Sequence, residues 1–277
     1  GLGGGDGAGR LRRSALRMLR GVRVATETRR HGALLPEQVG EGATRRLLAP
    51  LPLAGWRDAL EAAAGLGLTA IELQAGWLSQ GDTPEVAAAS ATHGVRLVAL
   101  NGSLDQLLSL GAAALRPWTS LGIQHLVVSE CSGATTELNA LSDLAGQLGV
   151  TALLTNAAGG WPDSADLGRL ASDRRYPHLG ACYDPAAAVA RRRHPYLADM
   201  MAGPLKRAVR ILRLRDALFD GREVLPDKGN AELRELVSAL EARTYRGWYA
   251  LSPVGEGPYP VRLAAAHAAV TTMLDEL

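Results

Sequence analysis

The sequence has few of the residues that mark specialised classes of protein. Aromatic residues make up 4% of its 277 residues, and there are two cysteines and one phenylalanine. Cys131 and Cys182 are too few for a disulfide framework and lack a zinc-binding spacing, so we expect a reducing, cytoplasmic setting. No apolar run approaches the ~18 residues that span a bilayer. With a net charge of +2, the composition indicates neither a membrane nor a nucleic-acid partner.

The first 44 residues differ in composition from the rest. They carry eight arginines against four acidic residues, begin with GLGGGDGAGR, and include LRRSALRMLRGVRV, which has the pattern of a short basic amphipathic helix. Such a segment is typical of a transit peptide, of an over-extended start, or of an arm that packs on the body. We therefore predict an N-terminal extension at 1–44, flexible or packed, and a single domain at 45–277.

A repeated pattern predicts the architecture of that domain. GLGLTAIEL, THGVRLVAL, SLGIQHLVV and QLGVTALLT each combine a helix end, a glycine and an apolar strand, and their glycines are spaced 27, 28 and 27 residues apart. A glycine just past a helix end adopts positive φ without strain. A short apolar run rich in β-branched residues suits a strand that is buried on both faces. Each repeat is therefore one helix and one strand.

Four more strands, near 46–50, 179–184, 209–215 and 247–252, bring the number to eight. Eight alternating strands and helices of about 30 residues each match a (β/α)₈ TIM barrel, which typically has ~250 residues. A doubly wound open sheet is built from the same units, but no Gly-rich phosphate fingerprint follows the first strand. We predict the α/β class and a single-domain TIM barrel.

The barrel assignment gives a short set of candidate site residues. In such barrels the active site lies at the carboxyl ends of the strands. Of the six histidines, only His194 follows a strand closely enough to approach that end, which disfavours a His-ligated metal. The polar residues at the predicted strand ends and in the loops beyond them are Gln74, Trp77, Asn101, Glu130, Thr155, Asn156, Asp184, Arg213, Lys228 and Ser252.

From residue 46 onwards the chain resembles the xylose-isomerase-like TIM barrel superfamily, which includes sugar phosphate isomerases and epimerases. WRDALEAAAGLGLTAIEL is similar to the family's first helix and second strand. LGACYDP resembles its sixth-strand segment and RLRDA its seventh. LPDKGNAELRELVSALEARTYRGWYALS resembles the closing turn, helix and strand. The order and spacing of these segments together carry the likeness.

The resemblance implies a divalent metal held by Glu, Asp, His and Glu from strands five to eight. On this sequence those ligands fall on Thr155, Asp184, Arg213 and Ser252, and a further His falls on Ala187. Only Asp184 is kept, and neutral Thr is a poor ligand for a divalent cation. Arg213 adds a positive charge that would repel the metal, by ~4 kcal/mol per unit charge at about 4 Å and an effective dielectric of about 20. The resemblance thus predicts a degenerate metal site and no cofactor.

Our first hypothesis is an enzyme of the isomerase or epimerase class that needs no metal and acts on a small polyol, sugar or hydroxy acid. Asp184 and Glu130 would transfer protons, while Arg213 would orient an oxygen of the substrate. Lys228 would be a second contact for an anion. The alternative for Arg213 is a purely structural ion pair with Asp184 or Glu130. The remaining substrate-binding candidates are Gln74, Trp77, Asn101, Thr155, Asn156 and Ser252.

Two alternatives stay open. The first is a pseudoenzyme, a barrel that binds a sugar-like ligand or a partner protein without catalysis. The second is a rearranged site in which Mg²⁺ or Mn²⁺ is held by oxygen ligands from Glu72, Glu130, Asp184 and Asp216. We expect a small molecule as the main partner, and a homodimer is compatible with the sequence.

Overall fold

The computed structural model describes residues 46–51, 56–75, 83–129, 131–156, 161–201 and 203–277. The predictions for the N-terminal extension at 1–44, for Trp77 and for Glu130 lie outside these residues. All the other sequence-based candidates lie within them.

Eight parallel strands form a closed barrel. The hydrogen-bonded neighbours follow chain order from β1 to β7, and β10 lies between β7 and β1 and closes the ring. A short antiparallel hairpin, β8 paired with β9, lies outside the barrel after β7. The (β/α)₈ prediction is confirmed, and each barrel strand lies within two residues of its predicted position. The strands are β1 Leu47–Pro50, β2 Ala70–Gln74, β3 Arg96–Gly102, β4 His125–Val128, β5 Thr151–Thr155, β6 Leu179–Tyr183, β7 Val209–Leu214, β8 Asp216–Ala217, β9 Glu223–Val224 and β10 Trp248–Leu251.

Helices connect the strands and cover the barrel. None of the described helices is long and apolar enough to cross a membrane. They are α1 Trp56–Gly65, α2 Thr83–His93, α3 Leu104–Thr119, α4 Thr135–Leu148, α5 Ser164–Leu170, α6 Pro185–Ala190, α7 Leu205–Ala208, α8 Leu233–Glu241 and α9 Tyr259–Asp275, with one π-helical turn at Tyr196–Met201.

The repeated glycines occupy the conformation that the sequence predicts. Gly67, Gly94, Gly122 and Gly149 have φ of 75°, 64°, 99° and 69°. Gly149 ends α4 in the left-handed region, and its N–H donates to backbone carbonyls of the last helical turn. A residue with a Cβ is strained there. Each glycine therefore stops its helix and sends the chain into the next strand.

Two hydrophobic clusters form the core. The larger one lies between the barrel and its helices. The smaller takes residues from all eight barrel strands and fills the barrel interior. Cys182 belongs to this interior cluster, as strand alternation predicts, and burial raises the pKa of its thiol to about 11 despite the opposing effect of Arg213. The interior cluster consists of Leu48, Ala70, Val98, Ala99, Val127, Leu153, Cys182, Ile211, Trp248 and Ala250.

His125 begins β4 at the opposite end of the barrel from the predicted site. Its Nδ1 is buried and accepts no hydrogen bond within the described part of the chain. Burial, helped by the nearby Arg210, lowers its pKa from 6.5 to about 4. The unfolded chain therefore binds a proton below pH 6.5 that the folded protein does not accept until about pH 4. Stability that is present at neutral pH is lost across this window.

We expect His125→Gln to remove this pH dependence. The shift of about 2.5 pH units corresponds to ~3 kcal/mol of unfolding free energy lost on acidification from pH 6.5 to 4. Urea unfolding at pH 7, 5.5 and 4.5 measures the slope. His93→Gln is the matched control, because His93 is exposed at the end of α2. Identical slopes in the wild type and His125→Gln would contradict the assignment.

Candidate active site

A cleft of about 450 Å³ opens at the carboxyl end of the barrel. This volume lies in the range of small-molecule sites. Polar residues from several strand ends face it, and a small apolar rim lies beside β10. The residues that line it are Pro50, Asn101, Ser129, Thr155, Asn156, Asp184, Ala187, Arg213, Arg215, Glu223, Leu251, Ser252, Pro253 and Val254.

A bidentate ion pair between Glu72 and Arg213 crosses the barrel below the cleft. Arg213 Nη1 donates to Glu72 Oε2 at 2.9 Å, and Nη2 donates to Oε1 at 2.7 Å. Asn101 Nδ2 donates to the same Oε1 at 2.7 Å. The Glu72 side chain is 1% exposed and that of Arg213 12%. Strand alternation explains the geometry, since Ala70 and Ile211, two residues earlier on each strand, belong to the interior cluster.

The pair is a neutral unit at physiological pH. Burial by itself would lower the pKa of Arg213, but Cys182 and Glu72 raise it, and the result lies above its ordinary value. The Cys182 thiol is uncharged at neutral pH, so the Glu72 carboxylate is the partner that holds the charge. The expected partners of Arg213 were Asp184 or Glu130. The first is wrong, because Asp184 pairs with another arginine, and the second lies outside the described residues.

Asp184 follows β6 and caps α6. Its Oδ1 accepts from the backbone N–H of Ala186 at 3.0 Å, and its Oδ2 accepts from Arg215 Nη1 at 2.7 Å. Burial raises the pKa of Asp184, and Arg215 opposes this effect only in part. Arg215 is 39% exposed and also pairs with Glu223 of β9. The carboxylate thus faces the cleft with a raised proton affinity and a partly exposed counter-charge.

Asn156 has a structural role that the sequence did not indicate. Its Nδ2 donates to the backbone oxygen of Asp184 at 2.7 Å, and its Oδ1 accepts from the Asp184 N–H at 2.7 Å. These two bonds fix the end of β5 to the end of β6. Asn156 therefore positions Asp184, although its side chain also reaches the cleft wall.

Thr155 leaves a polar atom unsatisfied at the cleft. Its Oγ1 is buried and makes no hydrogen bond of normal geometry with any described residue, although it lies close enough to the Cys182 thiol to influence the pKa of that group. A buried hydroxyl without a partner costs about 1–3 kcal/mol. The Thr155 hydroxyl thus lies against the buried Cys182 thiol at the base of the cleft.

The other predicted site residues divide into two groups. Asn101 and Ser252 line the cleft. Gln74 and Lys228 are not among the described residues that line the cleft. Gln74 ends β2, and Lys228 is exposed in the loop after β9. That loop is held by Asp216, whose carboxylate accepts from the backbone N–H groups of Lys228, Gly229 and Ala231 at 3.1, 2.8 and 2.9 Å.

The structure adds Arg215 and Glu223 to the site and moves Glu72 into its centre. Arg215 was identifiable in part, because it lies two positions after Arg213, just past the end of β7, and alternate positions along an extended segment share a face. Glu223 lies on the hairpin and carries no motif. Glu72 stood only among possible metal ligands, since its position across the barrel from Arg213 depends on how the sheet closes.

The described side chains at the mouth are a poor set of ligands for a divalent metal. Arg213 lies where the resemblance implies a ligand, and Thr155 and Ser252 are neutral. Of the proposed oxygen ligands, Glu72 is held by Arg213, and Asp216 by backbone N–H groups. Within the described ranges no group of three or more His, Cys, Asp or Glu side chains is arranged to hold a metal ion. Glu130 lies outside those ranges.

Comparison with known proteins gives a fold. No family model and no curated protein matches the sequence. Solved structures do match, and the ones compared below have low identity. A xylose isomerase domain protein from Planctomyces limnophilus is 16% identical with a TM-score of 0.62, over 83% of this chain and 97% of that one.

Two further structures show the same likeness. A xylose isomerase-like TIM barrel protein from Mycobacterium smegmatis, solved in complex with magnesium, is 13% identical with a TM-score of 0.64, over 85% of this chain and 99% of that one. A D-tagatose 3-epimerase-like protein is 13% identical with a TM-score of 0.64, over 83% of this chain and 97% of that one. The described barrel therefore has the fold of the xylose isomerase-like TIM barrel proteins.

Proposed function

We propose that the cleft binds a small polyol, sugar or hydroxy acid and catalyses an isomerase- or epimerase-type proton transfer without a divalent metal. The observation that carries this proposal is the guanidinium of Arg213 at the centre of the mouth, beside a buried aspartate of raised pKa. These two groups provide what such a reaction needs, a fixed positive charge for an oxygen and a base for a proton.

The ion pair with Glu72 leaves Arg213 able to bind a ligand. Glu72 uses Nη1 and Nη2, so the Nε–H and the outer hydrogens of Arg213 remain for other acceptors. Because Glu72 neutralises the guanidinium, the cleft does not require an anionic ligand. A carbonyl or hydroxyl oxygen suffices, which agrees with the neutral hydroxyls and amides of Thr155, Ser252 and Asn101 around it.

The proposed chemistry is a proton shift in a hydroxy-carbonyl substrate. The Asp184 carboxylate takes the proton from the carbon beside the carbonyl, and the C–H electron pair forms the carbon–carbon double bond of an enediolate. Arg213 stabilises the negative oxygen. Return of the proton to the former carbonyl carbon, with transfer of one hydroxyl proton between the two oxygens, completes an isomerisation. Return to the original carbon from the other face gives an epimer and needs a second group, for which Glu130 is our candidate.

The likeness to sugar-processing barrels is a further reason for this substrate class. One of the similar structures is described as D-tagatose 3-epimerase-like and others as xylose isomerase domain proteins. We extend from them only the class of ligand, a small polyhydroxylated molecule.

The second candidate function is a binder without catalysis. Both carboxylates of the described centre are engaged, Glu72 by Arg213 and Asp184 by Arg215. In this case the cleft would bind the same class of ligand through its hydroxyls and amides and would not turn it over.

A metal-independence experiment tests the proposal. Protein purified without chelator should contain less than about a tenth of an equivalent of Mg, Mn, Zn or Co, because a fixed guanidinium and neutral side chains disfavour such ions. Turnover of a panel of ketoses, aldoses and hydroxy acids, followed by NMR in D₂O, should survive dialysis against EDTA. Exchange of deuterium into the carbon-bound position would report the proton transfer itself.

The outcomes separate the three hypotheses. A stoichiometric metal whose removal abolishes turnover would reject the proposal in favour of the rearranged site with Mg²⁺ or Mn²⁺. Ligand binding to the cleft, detected by chemical shift changes, with no deuterium exchange for any member of the panel would favour the non-catalytic binder.

A further inference from the structure

A second pocket, of about 390 Å³, lies at the amino end of the barrel and is lined by five cationic side chains. It is formed where the chain enters β7 and β10, so it lies at the opposite end of the barrel from the cleft. Its remaining lining is uncharged and consists of Val209, Leu240, Thr244 and Tyr245. We call it the cationic pocket. Its charged residues are Lys206, Arg207, Arg210, Arg243 and Arg246.

No carboxylate in the described part of the chain forms an ion pair with any of these five residues. The hydrogen bonds that two of them make go to backbone carbonyls. Lys206 Nζ donates to Met201 O at 3.1 Å, and Arg210 Nη1 donates to Arg207 O at 3.1 Å. These contacts orient the side chains and leave their charges uncompensated.

An acidic residue beside the pocket lining in the chain, Glu241, has other partners. Glu241, at the end of α8, forms an ion pair with Arg46 and accepts a hydrogen bond from the Tyr249 hydroxyl. Arg46 is buried and also donates to Tyr245 O at 2.6 Å and Gly247 O at 3.1 Å. Arg46 thus neutralises Glu241 and holds the backbone of Tyr245, which lines the pocket.

The overall charge of the domain does not account for the cluster. Outside the first 44 residues, acidic residues outnumber Lys and Arg. Four of the five cationic residues, all but Lys206, are exposed, so water and salt screen part of their mutual repulsion, and the remainder is relieved when an anion enters. The five residues are grouped around one concavity whose volume lies in the range of small-molecule sites.

We propose that the cationic pocket binds an oligophosphate, either free or carried by a small molecule such as a nucleoside. Guanidinium groups match phosphate oxygens in a bidentate way. Five cations suit several closely spaced negative charges better than one. A compact pocket fits a short phosphate chain, whereas a nucleic-acid duplex presents its phosphates along an extended line. This site is independent of the function proposed for the cleft.

Binding of tripolyphosphate to the full-length protein tests the proposal. Calorimetry at a constant ionic strength of about 0.15 M, where the Debye length is about 8 Å, should show saturable 1:1 binding that is at least about tenfold tighter than that of sulfate. Arg243→Ser/Arg246→Ser should weaken it by about a hundredfold, since loss of each charge-assisted contact corresponds to about tenfold. ATP and ADP in parallel distinguish a nucleoside-linked oligophosphate from the free chain.

The matched control is Arg169→Ser/Arg175→Ser. This variant removes the same number of positive charges, two, from exposed positions outside the pocket. It keeps the arginine-rich first 44 residues and should change the affinity for tripolyphosphate less than about twofold. Equal weakening in both double variants would overturn the proposal, because it would reduce binding to net charge. Affinity for tripolyphosphate no greater than for sulfate, or tighter binding of an oligoglutamate peptide, would overturn it too. Circular dichroism checks that both variants are folded.

Discussion

Replacing Arg213 with methionine should lower the free energy of unfolding by about 3–5 kcal/mol, because it leaves the Glu72 carboxylate buried without its counter-charge. Among the described residues, the Asn101 amide would remain as the side-chain hydrogen-bond partner of Glu72. For a domain of this size we expect a fall in melting temperature of roughly 6–20 °C. Thermal and urea unfolding measure both quantities.

A double-mutant cycle separates the ion pair from simple loss of packing. Glu72→Gln/Arg213→Met removes both charges and keeps similar volumes, and it should recover most of the stability lost in Arg213→Met, since paired replacement of a buried ion pair is often close to neutral. Arg169→Met, on the surface of α5, should leave the melting temperature unchanged. If the double variant were as unstable as the sum of its single variants, Glu72 and Arg213 would not be coupled.

The same variants report on ligand binding. If Arg213 orients a substrate oxygen, Glu72→Gln/Arg213→Met should be folded and yet bind the ligand poorly. Unchanged affinity in that folded double variant would restrict Arg213 to the structural ion pair and reject its proposed role in the reaction.

The second large effect is expected from Asp184→Asn. Asparagine keeps the size of the side chain and its ability to cap α6, but it cannot accept the substrate proton. Turnover of a substrate identified in the panel should fall by about 10²–10⁴-fold, the usual contribution of a general base, with little change in KM. Steady-state kinetics and deuterium exchange measure the loss.

The pH profile gives an independent check. Since burial raises the pKa of Asp184, the base is ionised only above a pH higher than that of an ordinary aspartate. Wild-type kcat should therefore fall on acidification through that raised pKa, and the acid limb should be absent from the residual activity of Asp184→Asn.

Asp163→Asn is the matched control. Asp163 also caps a helix, α5, where it accepts from the Asp166 N–H at 2.8 Å, and it also lies beside an arginine, Arg191. It does not line the cleft within the described residues. Its replacement should leave turnover within about twofold of the wild type. Retained turnover in both variants would place the base elsewhere, with Glu130 the next residue to change.

Several of the residues that line the cleft could be predicted from the sequence. Alternation along β5 and β7 places Thr155 and Arg213 at the mouth, and the position of Asp184 after an apolar strand places it there too. The prediction for Lys228 was less successful, because it rested on loop position alone. Asp216 holds the backbone of that loop and so determines where the Lys228 ammonium lies. This contact could not be predicted from a sequence pattern.

The sequence by itself determined the barrel, because the helix-stopping glycines and the period-two apolar strands are local properties that each segment carries with it. It also placed Asn101, Thr155, Asp184 and Arg213 at the carboxyl ends of their strands. Only the tertiary structure decided which charges meet. Glu72 and Arg213 are 141 residues apart, and several carboxylates were chemically equivalent partners until closure of the sheet brought the side chains of β2 and β7 together inside the barrel. The pairing of β7 with β10 also brought together the two segments that precede these strands, and they form the cationic pocket. The residues of that pocket form no motif along the sequence.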